Sequence, residues 1–188
     1  MNHIRKHFEE ANRLLGELLS NDEFINSVES AGMIMLDSLR GGGKIISCGN
    51  GGSMCDAMHF AEELSGRYRE NRNALAALSI SDPSHLTCVG NDYGFQYVFS
   101  RYVEALGNAG DVLLAISTSG NSANVLEAAT TAQKRGLKVV ALTGKMGGEL
   151  KNHCDVEIRV PWMEYADRVQ EVHIKVIHAL IDYIERGH

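Results

Sequence analysis

The sequence predicts an α/β fold: a three-layer sandwich around a five-stranded parallel sheet, with two extra N-terminal helices and a long C-terminal helix. Two observations predict it. From Lys44 onward, short apolar runs alternate with helix-period segments, and several runs are apolar throughout, as strands covered on both faces are. Turn signals separate the units, at Asn108-Ala109-Gly110, Gly136 and Gly147-Gly148.

Taken in order, residues 3–19 bring Ile4, Phe8, Ala11, Leu15, Leu18 and Leu19 near one face of a helix. Asn21 or Asp22 can cap a second helix, which runs to Arg40 on Phe24, Ile25, Val28, Ala31, Ile34, Met35, Leu36 and Leu39. Gly41-Gly42-Gly43 ends it. This pair, within residues 1–40, covers one face of the sheet or also forms a subunit interface, and the pattern leaves both open. Strands are expected at 44–48, 76–80, 111–116, 138–142 and 156–160. Helices are expected at 54–68, 95–106, 123–135 and 166–186, with right-handed crossovers. With no repeat, low-complexity segment or linker, 1–188 reads as a single domain whose α/β core is 44–188.

The totals exclude several classes. With 44% apolar and 22% charged residues in 188, the chain reads as an ordinary globular protein. No run approaches the roughly 18 apolar residues of a membrane span. The opening Met1-Asn2-His3-Ile4-Arg5-Lys6 has no apolar core behind it, so no signal peptide is expected and the cytoplasm is the expected compartment. Cys48, Cys55, Cys88 and Cys154 are scattered and read as reduced thiols. A net charge of −6 argues against a nucleic-acid surface, but not against an anionic small molecule held by backbone N–H groups.

Chemistry concentrates at two loops. The first strand stops at Gly49-Asn50-Gly51-Gly52-Ser53 and a helix begins at once, which makes an anion site of the unpaired N–H groups. It is not a P-loop, lacking the lysine, and Met54 replaces the third glycine of a dinucleotide fingerprint. The second loop, Ser117-Thr118-Ser119-Gly120-Asn121-Ser122, precedes a helix in the same way. One helix cap needs one hydroxyl, and four stand here. Ligands of open α/β sheets sit outside the carboxyl ends of strands, where both loops fall.

Reactive groups lie on two helices. Cys55, His59 and Glu63 recur at four-residue steps, a ladder that binds a metal, sets a carboxylate base beside an imidazole, or simply lines a solvated face. In the last helix, Asp167, Gln170, Glu171, His173 and His178 sit among valines, isoleucines and Leu180, where buried polar groups need partners. A lone histidine there is commonly a satisfied core residue. Asn91-Asp92, between Gly90 and Tyr93-Gly94, reads as an Asx turn and helix cap.

Together these stretches resemble a known family. Residues 47–53, His59-Phe60-Ala61-Glu62-Glu63-Leu64, Gly90-Asn91-Asp92-Tyr93-Gly94-Phe95 and residues 116–122 resemble the sugar isomerase (SIS) domain, and within it the bacterial phosphoheptose isomerases. Residues 165–171 and 171–178 fit the last helix of that subfamily, so the likeness spans essentially the whole chain.

The resemblance implies isomerisation of sedoheptulose 7-phosphate to D-glycero-D-manno-heptose 7-phosphate, the first step towards the ADP-heptose of lipopolysaccharide core. It implies a homotetramer with active sites at subunit interfaces and one zinc ion per subunit, held by His59, Glu63, Gln170 and His178. It assigns substrate contacts to Asn50, Gly51, Gly52, Ser53, Asn91, Asp92, Ser117, Thr118, Ser119, Ser122 and Gln170. Glu63 is the expected base and His178 its acid partner, with Asp167 orienting an imidazole. Eight helical residues separate Gln170 from His178 by about 12 Å along the axis, so one ion joins both only if their side chains lean together. The competing readings are a non-catalytic SIS module that binds a sugar phosphate or a replication initiator, and a different aldose–ketose isomerase.

Overall fold

The computed structural model describes residues 3–188; Met1 and Asn2, part of the expected 1–40 segment, lie outside the described residues. Helices α1 (His3–Leu19) and α2 (Asp22–Arg40) lead into β1 (Ile45–Gly49) and α3 (Gly52–Ser65). β2 (Ala77–Ser79), α4 (Pro83–Asp92) and α5 (Ser100–Leu106) follow, then β3 (Val112–Ser117) and α6 (Ala123–Lys134). β4 (Lys138–Gly144), β5 (Val156–Val160) and α7 (Ala166–Gly187) complete the chain.

All five strands are parallel, in the order β2-β1-β3-β4-β5. Side-chain alternation along the strands divides the interior in two. Ile45, Val112, Leu114 and Ile116 face a core shared with α1, α2, α3 and α7. Ile46, Cys48, Leu113 and Ala115 face the core under α4, α5 and α6. The N-terminal pair therefore covers a sheet face together with α3 and α7. Because β1 pairs with β2 on one side and β3 on the other, the crossovers diverge between β1 and β3 and leave a crevice at their carboxyl ends.

The expected strands match the observed ones within two residues. Asn21 caps α2, its Oδ1 accepting from the Phe24 N–H at 3.2 Å, and Gly41 closes it. Two corrections concern the stretch after β2. The helix expected over 95–106 is broken: Phe95–Tyr97 is a 3₁₀ turn and α5 starts at Ser100. The reason is Gly94, whose φ of 105° sets the entry to that turn. Helix α4 was not expected at all, although its start signal is present. Asp82 accepts from the His85 N–H at 2.8 Å and Pro83 fills the first helical position. Asn91 and Asp92 consequently end α4 and do not cap a following helix.

Helix α7 packs through Val169, Val172, Val176, Ile177, Leu180, Ile181 and Ile184, an apolar stripe at helical spacing. Its first turn also carries a buried guanidinium. Arg168 stands where the helix dipole disfavours a cation, and it is held by Glu10 at 2.8 Å, Glu171 at 2.7 Å and the His7 ring. That charge cluster fastens α1 to the start of α7.

His173 is fully buried on α7, and its Nε2 lies 3.0 Å from the Thr143 carbonyl. A carbonyl accepts, so Nε2 carries the proton, and Nδ1 is buried without a hydrogen-bond partner among the described residues. Burial pushes its pKa down to about 4, the carbonyl bond opposing. Folded His173 stays neutral while the unfolded chain protonates near 6.5. The stability it allows is therefore complete above that value and is lost as pH falls from 6.5 towards 4. At about 1.4 kcal/mol per unit the loss is on the order of 3 kcal/mol. His173→Leu should flatten the fall in unfolding free energy between pH 7 and 4.5, measured by denaturant titration. A slope equal to that of the unsubstituted protein would contradict this account of the buried imidazole.

Candidate active site

β1 and β3 are neighbours, and each ends in a loop that opens a helix. Gly51, at φ 57°, stands at the N-cap of α3 and has no side chain to cap it. Ser122 stands at the N-cap of α6, yet its side chain caps nothing. Its Oγ lies 3.0 Å from Ser117 Oγ, which in turn is 3.4 Å from Ser119 Oγ. The hydroxyls are thus gathered with one another, and the first-turn N–H groups of both helices carry no side-chain cap. The N–H groups of Ser53, Met54 and Val125 donate to backbone carbonyls, while those of Gly52, Ala123 and Asn124 have no such partner among the described residues; convergent hydroxyls beside them suit a tetrahedral anion.

The serine loop is held from behind. Gly120 has a φ of 64°, and a Cβ there would lie 1.9 Å from the Gly147 carbonyl oxygen. The Leu150 N–H donates to the Gly120 carbonyl at 2.9 Å, and the Glu149 N–H to Asn121 Oδ1 at 3.0 Å. Asn50 and Asn124 exchange two amide hydrogen bonds of 2.9 Å, tying the first loop to the start of α6. The Asn50 side chain is therefore engaged between the loops. Ser53 is buried and Thr118 half-buried beside them.

The second part of the site lies where α3 runs beside α7. A Cβ on Gly52 would meet Gln170 Nε2 at 2.5 Å, and His59 Nε2 lies 3.1 Å from His178 Nε2. These contacts advance in the same direction along both helices, so the two run parallel. Glu63 completes the cluster, its Oε1 3.5 Å from His59 Nε2. Burial lowers the pKa of His178, His59 lowers it further, and Glu63 opposes both.

The separations fit a metal. Tetrahedral zinc with ligands at about 2.1 Å sets its donor atoms roughly 3.4 Å apart. Glu62 adds a further carboxylate, exposed, and one donor atom each from His59, Glu62 and Glu63 lies within 4.8 Å of the others. Of the four expected ligands, His59 lies close to both Glu63 and His178, and the mutually close set is His59, Glu62 and Glu63, without His178. Gln170 stands two helical turns from His178, against Gly52, and makes no side-chain hydrogen bond among the described residues.

Other expected residues lie elsewhere. Asn91 and Asp92 are exposed at the end of α4 and bond to each other at 2.8 Å, with no hydrogen bond to the loops or the cluster among the described residues. Asp167 accepts from the Arg168 N–H at 2.9 Å and faces that guanidinium, not an imidazole, because Arg168 is the nearest charge needing a partner.

Two neighbours escaped sequence reasoning. Asp56, one turn before His59, has a buried Oδ2 without a hydrogen-bond partner among the described residues, and burial pushes its carboxyl up to about 6. Its i−3 spacing from His59 was the available signal. Tyr68 stacks on His178, with centroids 5.4 Å apart and planes at 30°, a contact made by a loop with no pattern to announce it.

Residues 6–144 match the family model described as SIS domain. The phosphoheptose isomerase of Cytophaga hutchinsonii is 63% identical over 184 residues, covering 98% of this chain and 96% of that protein. That of Escherichia coli O7:K1 is 59% identical over 183 residues, covering 97% and 95%. The structure of the Neisseria gonorrhoeae phosphoheptose isomerase superposes with a TM-score of 0.91 at 46% identity, covering 97% of each chain. These relatives extend past the matched domain through α7, which carries Gln170 and His178. The chain belongs to the SIS-domain family and, within it, to the phosphoheptose isomerases.

Proposed function

We propose that this isomerase converts sedoheptulose 7-phosphate into D-glycero-D-manno-heptose 7-phosphate through a cis-enediol. The observation that carries the reading is the pairing of two unlike half-sites along one helix. The first of the two paired loops opens α3, and His59, which lies against Glu63 and His178, stands seven residues further along it. Seven residues of helix rise about 10 Å, the scale of an extended seven-carbon chain with its phosphate at one end and its carbonyl at the other. A module that only binds a sugar phosphate has no need of the second half.

In this reading Ser117, Thr118, Ser119 and Ser122, with Gly51, Gly52 and Ser53, hold the phosphate. Binding energy at that end orients the reacting end. Glu63 takes the proton from C1, exchanges it with solvent and delivers a proton to C2, and His178 moves the proton between the two oxygens. Gln170, beside the first loop, contacts sugar hydroxyls, while Asn50, its side chain paired with Asn124, shapes the loop that faces them. Zinc, one ion per chain, would be held by His59, Glu63 and His178, and Gln170 would join them only by leaving its place against Gly52. When bound, the ion supplies Lewis-acid polarisation of a carbonyl.

The proposed functional unit is a homotetramer with active sites at subunit interfaces. Asn91 and Asp92 support this, because they are exposed and make no hydrogen bond to the other site residues among the described residues, and so are available to a second copy's site. Exposed Ile4 and Phe8 on α1, and Tyr93 and Phe95 after α4, offer apolar surface for such contacts. The proposed compartment is the cytoplasm; no helix among the described residues is long and apolar enough to cross a membrane.

The direct test is an assay on sedoheptulose 7-phosphate with and without a chelator. Turnover that falls on chelation and returns with zinc is expected, and no turnover under any condition overturns the substrate assignment. Glu63→Gln should fold and bind the heptose phosphate but turn over at least about 100-fold more slowly; near-normal kcat removes Glu63 from the base role. Ser119→Ala combined with Ser122→Ala should raise KM for the phosphorylated sugar by about tenfold or more. An unchanged KM would place the phosphate elsewhere.

A further inference from the structure

Beyond the reacting groups, the loop after α3 is built as a strap across α7. Arg72 donates through Nη2 to the Glu63 carbonyl at 2.7 Å and through Nη1 to the Leu64 carbonyl at 2.8 Å, satisfying two of the last acceptors of α3. Its Nε donates to Glu185 Oε1 on α7 at 2.8 Å, and both side chains are largely buried. Glu185 also accepts the backbone N–H groups of Tyr68, at 3.2 Å, and Arg69, at 3.4 Å. A second tie joins Arg69 to Asp182 at 3.1 Å. The residue pinned by Glu185 is the one whose ring lies over His178.

A loop staple alone does not need this arrangement. Cap and ion pair would close α3 equally well with any residue at position 68. Here one buried pair grips the main chain of Glu63 on one side and, through Tyr68, the imidazole of His178 on the other. Glu185 lies seven residues beyond His178, two turns along the same face. The stacked ring stands against rotation of the imidazole about its χ2 bond, a broad torsion with two-fold character, with Nε2 aimed at His59.

We propose that Tyr68 is a positioning residue for His178, held over the imidazole by the Arg72–Glu185 pair. The inference rests on the placing of His178 at the reacting centre, and its test separates the two.

In histidine-labelled, chelator-stripped protein, the His178 ring resonances, identified by their loss in His178→Gln, should be shifted upfield by the Tyr68 ring. Tyr68→Leu should abolish that shift and Tyr68→Phe should keep it. In turnover, Tyr68→Leu should lower kcat about tenfold to 100-fold with KM within about twofold, the loss expected of misorientation. Tyr68→Phe should stay within about twofold of the unsubstituted kcat. Glu185→Ala should reproduce the loss of Tyr68→Leu, and the double variant should be no worse than either single one. Should Tyr68→Leu fail to fold, Glu185→Ala carries both readouts. Ring resonances unchanged in Tyr68→Leu or Glu185→Ala overturn the proposal whatever the enzyme turns over. A lost shift with unchanged kcat overturns the positioning of a reacting group, and leaves the stacking as packing alone.

Discussion

The contact on which the site depends is the approach of His59 and His178 where α3 runs beside α7. Two imidazole nitrogens 3.1 Å apart tolerate one proton between them, or a cation, but not two protons. That constraint explains why the surroundings are arranged as they are. Glu63 brings a negative charge to the pair, burial holds His178 towards its neutral form, and Tyr68 covers one face of its ring. Separating the helices by a side chain's width would dissolve the cluster, and Gly52, with Gln170 filling the place of a Cβ, is what lets them approach.

The fold supplies the other half without reactive groups. Strand order puts β1 next to β3, and two glycine- and serine-bearing loops meet in the crevice between diverging crossovers. Neither α3 nor α6 is capped by a side chain, so each leaves helix N–H groups for a ligand. The Asn50–Asn124 amide pair keeps the two loops at a fixed separation. Because α3 begins in the first loop and ends beyond Glu63, it links anion binding to proton transfer as one rigid element. Arg168 performs a similar task at the other helix, where Glu10 and Glu171 hold the first turn of α7 and hence the position of Gln170.

Much of this was legible from residue patterns. Uniformly apolar strands, glycine turns and the His59–Glu63 spacing are local signals, and each corresponds to an element or contact in the structure. The convergence of Ser117, Ser119 and Ser122 was expected from one observation, an excess of hydroxyls over what a cap requires. What local pattern does not carry is pairing between distant segments. The Tyr68–His178 stack and the Arg168–Glu10 pair join residues more than 100 positions apart, and nothing in either segment announces the other. Helix α4 is a different case. Asp82 and Pro83 announce its start, but its interior of threonine, cysteine and glycine is weak in helix propensity, so the cap outweighs the body of the helix. The division of roles also shifted: Asn50 is committed to Asn124, and Asp167 to Arg168.

In the proposed function, a base at the α3–α7 contact moves a carbon-bound proton between adjacent carbons of a phosphorylated sugar. Running the isomerisation in deuterium oxide and reading the aldose product at C2 by proton NMR tests it most directly. An enediol whose proton passes through Glu63 takes up deuterium at C2. Product that retains full protium at C2 at every stage of conversion would contradict a base at this cluster that exchanges its proton with solvent.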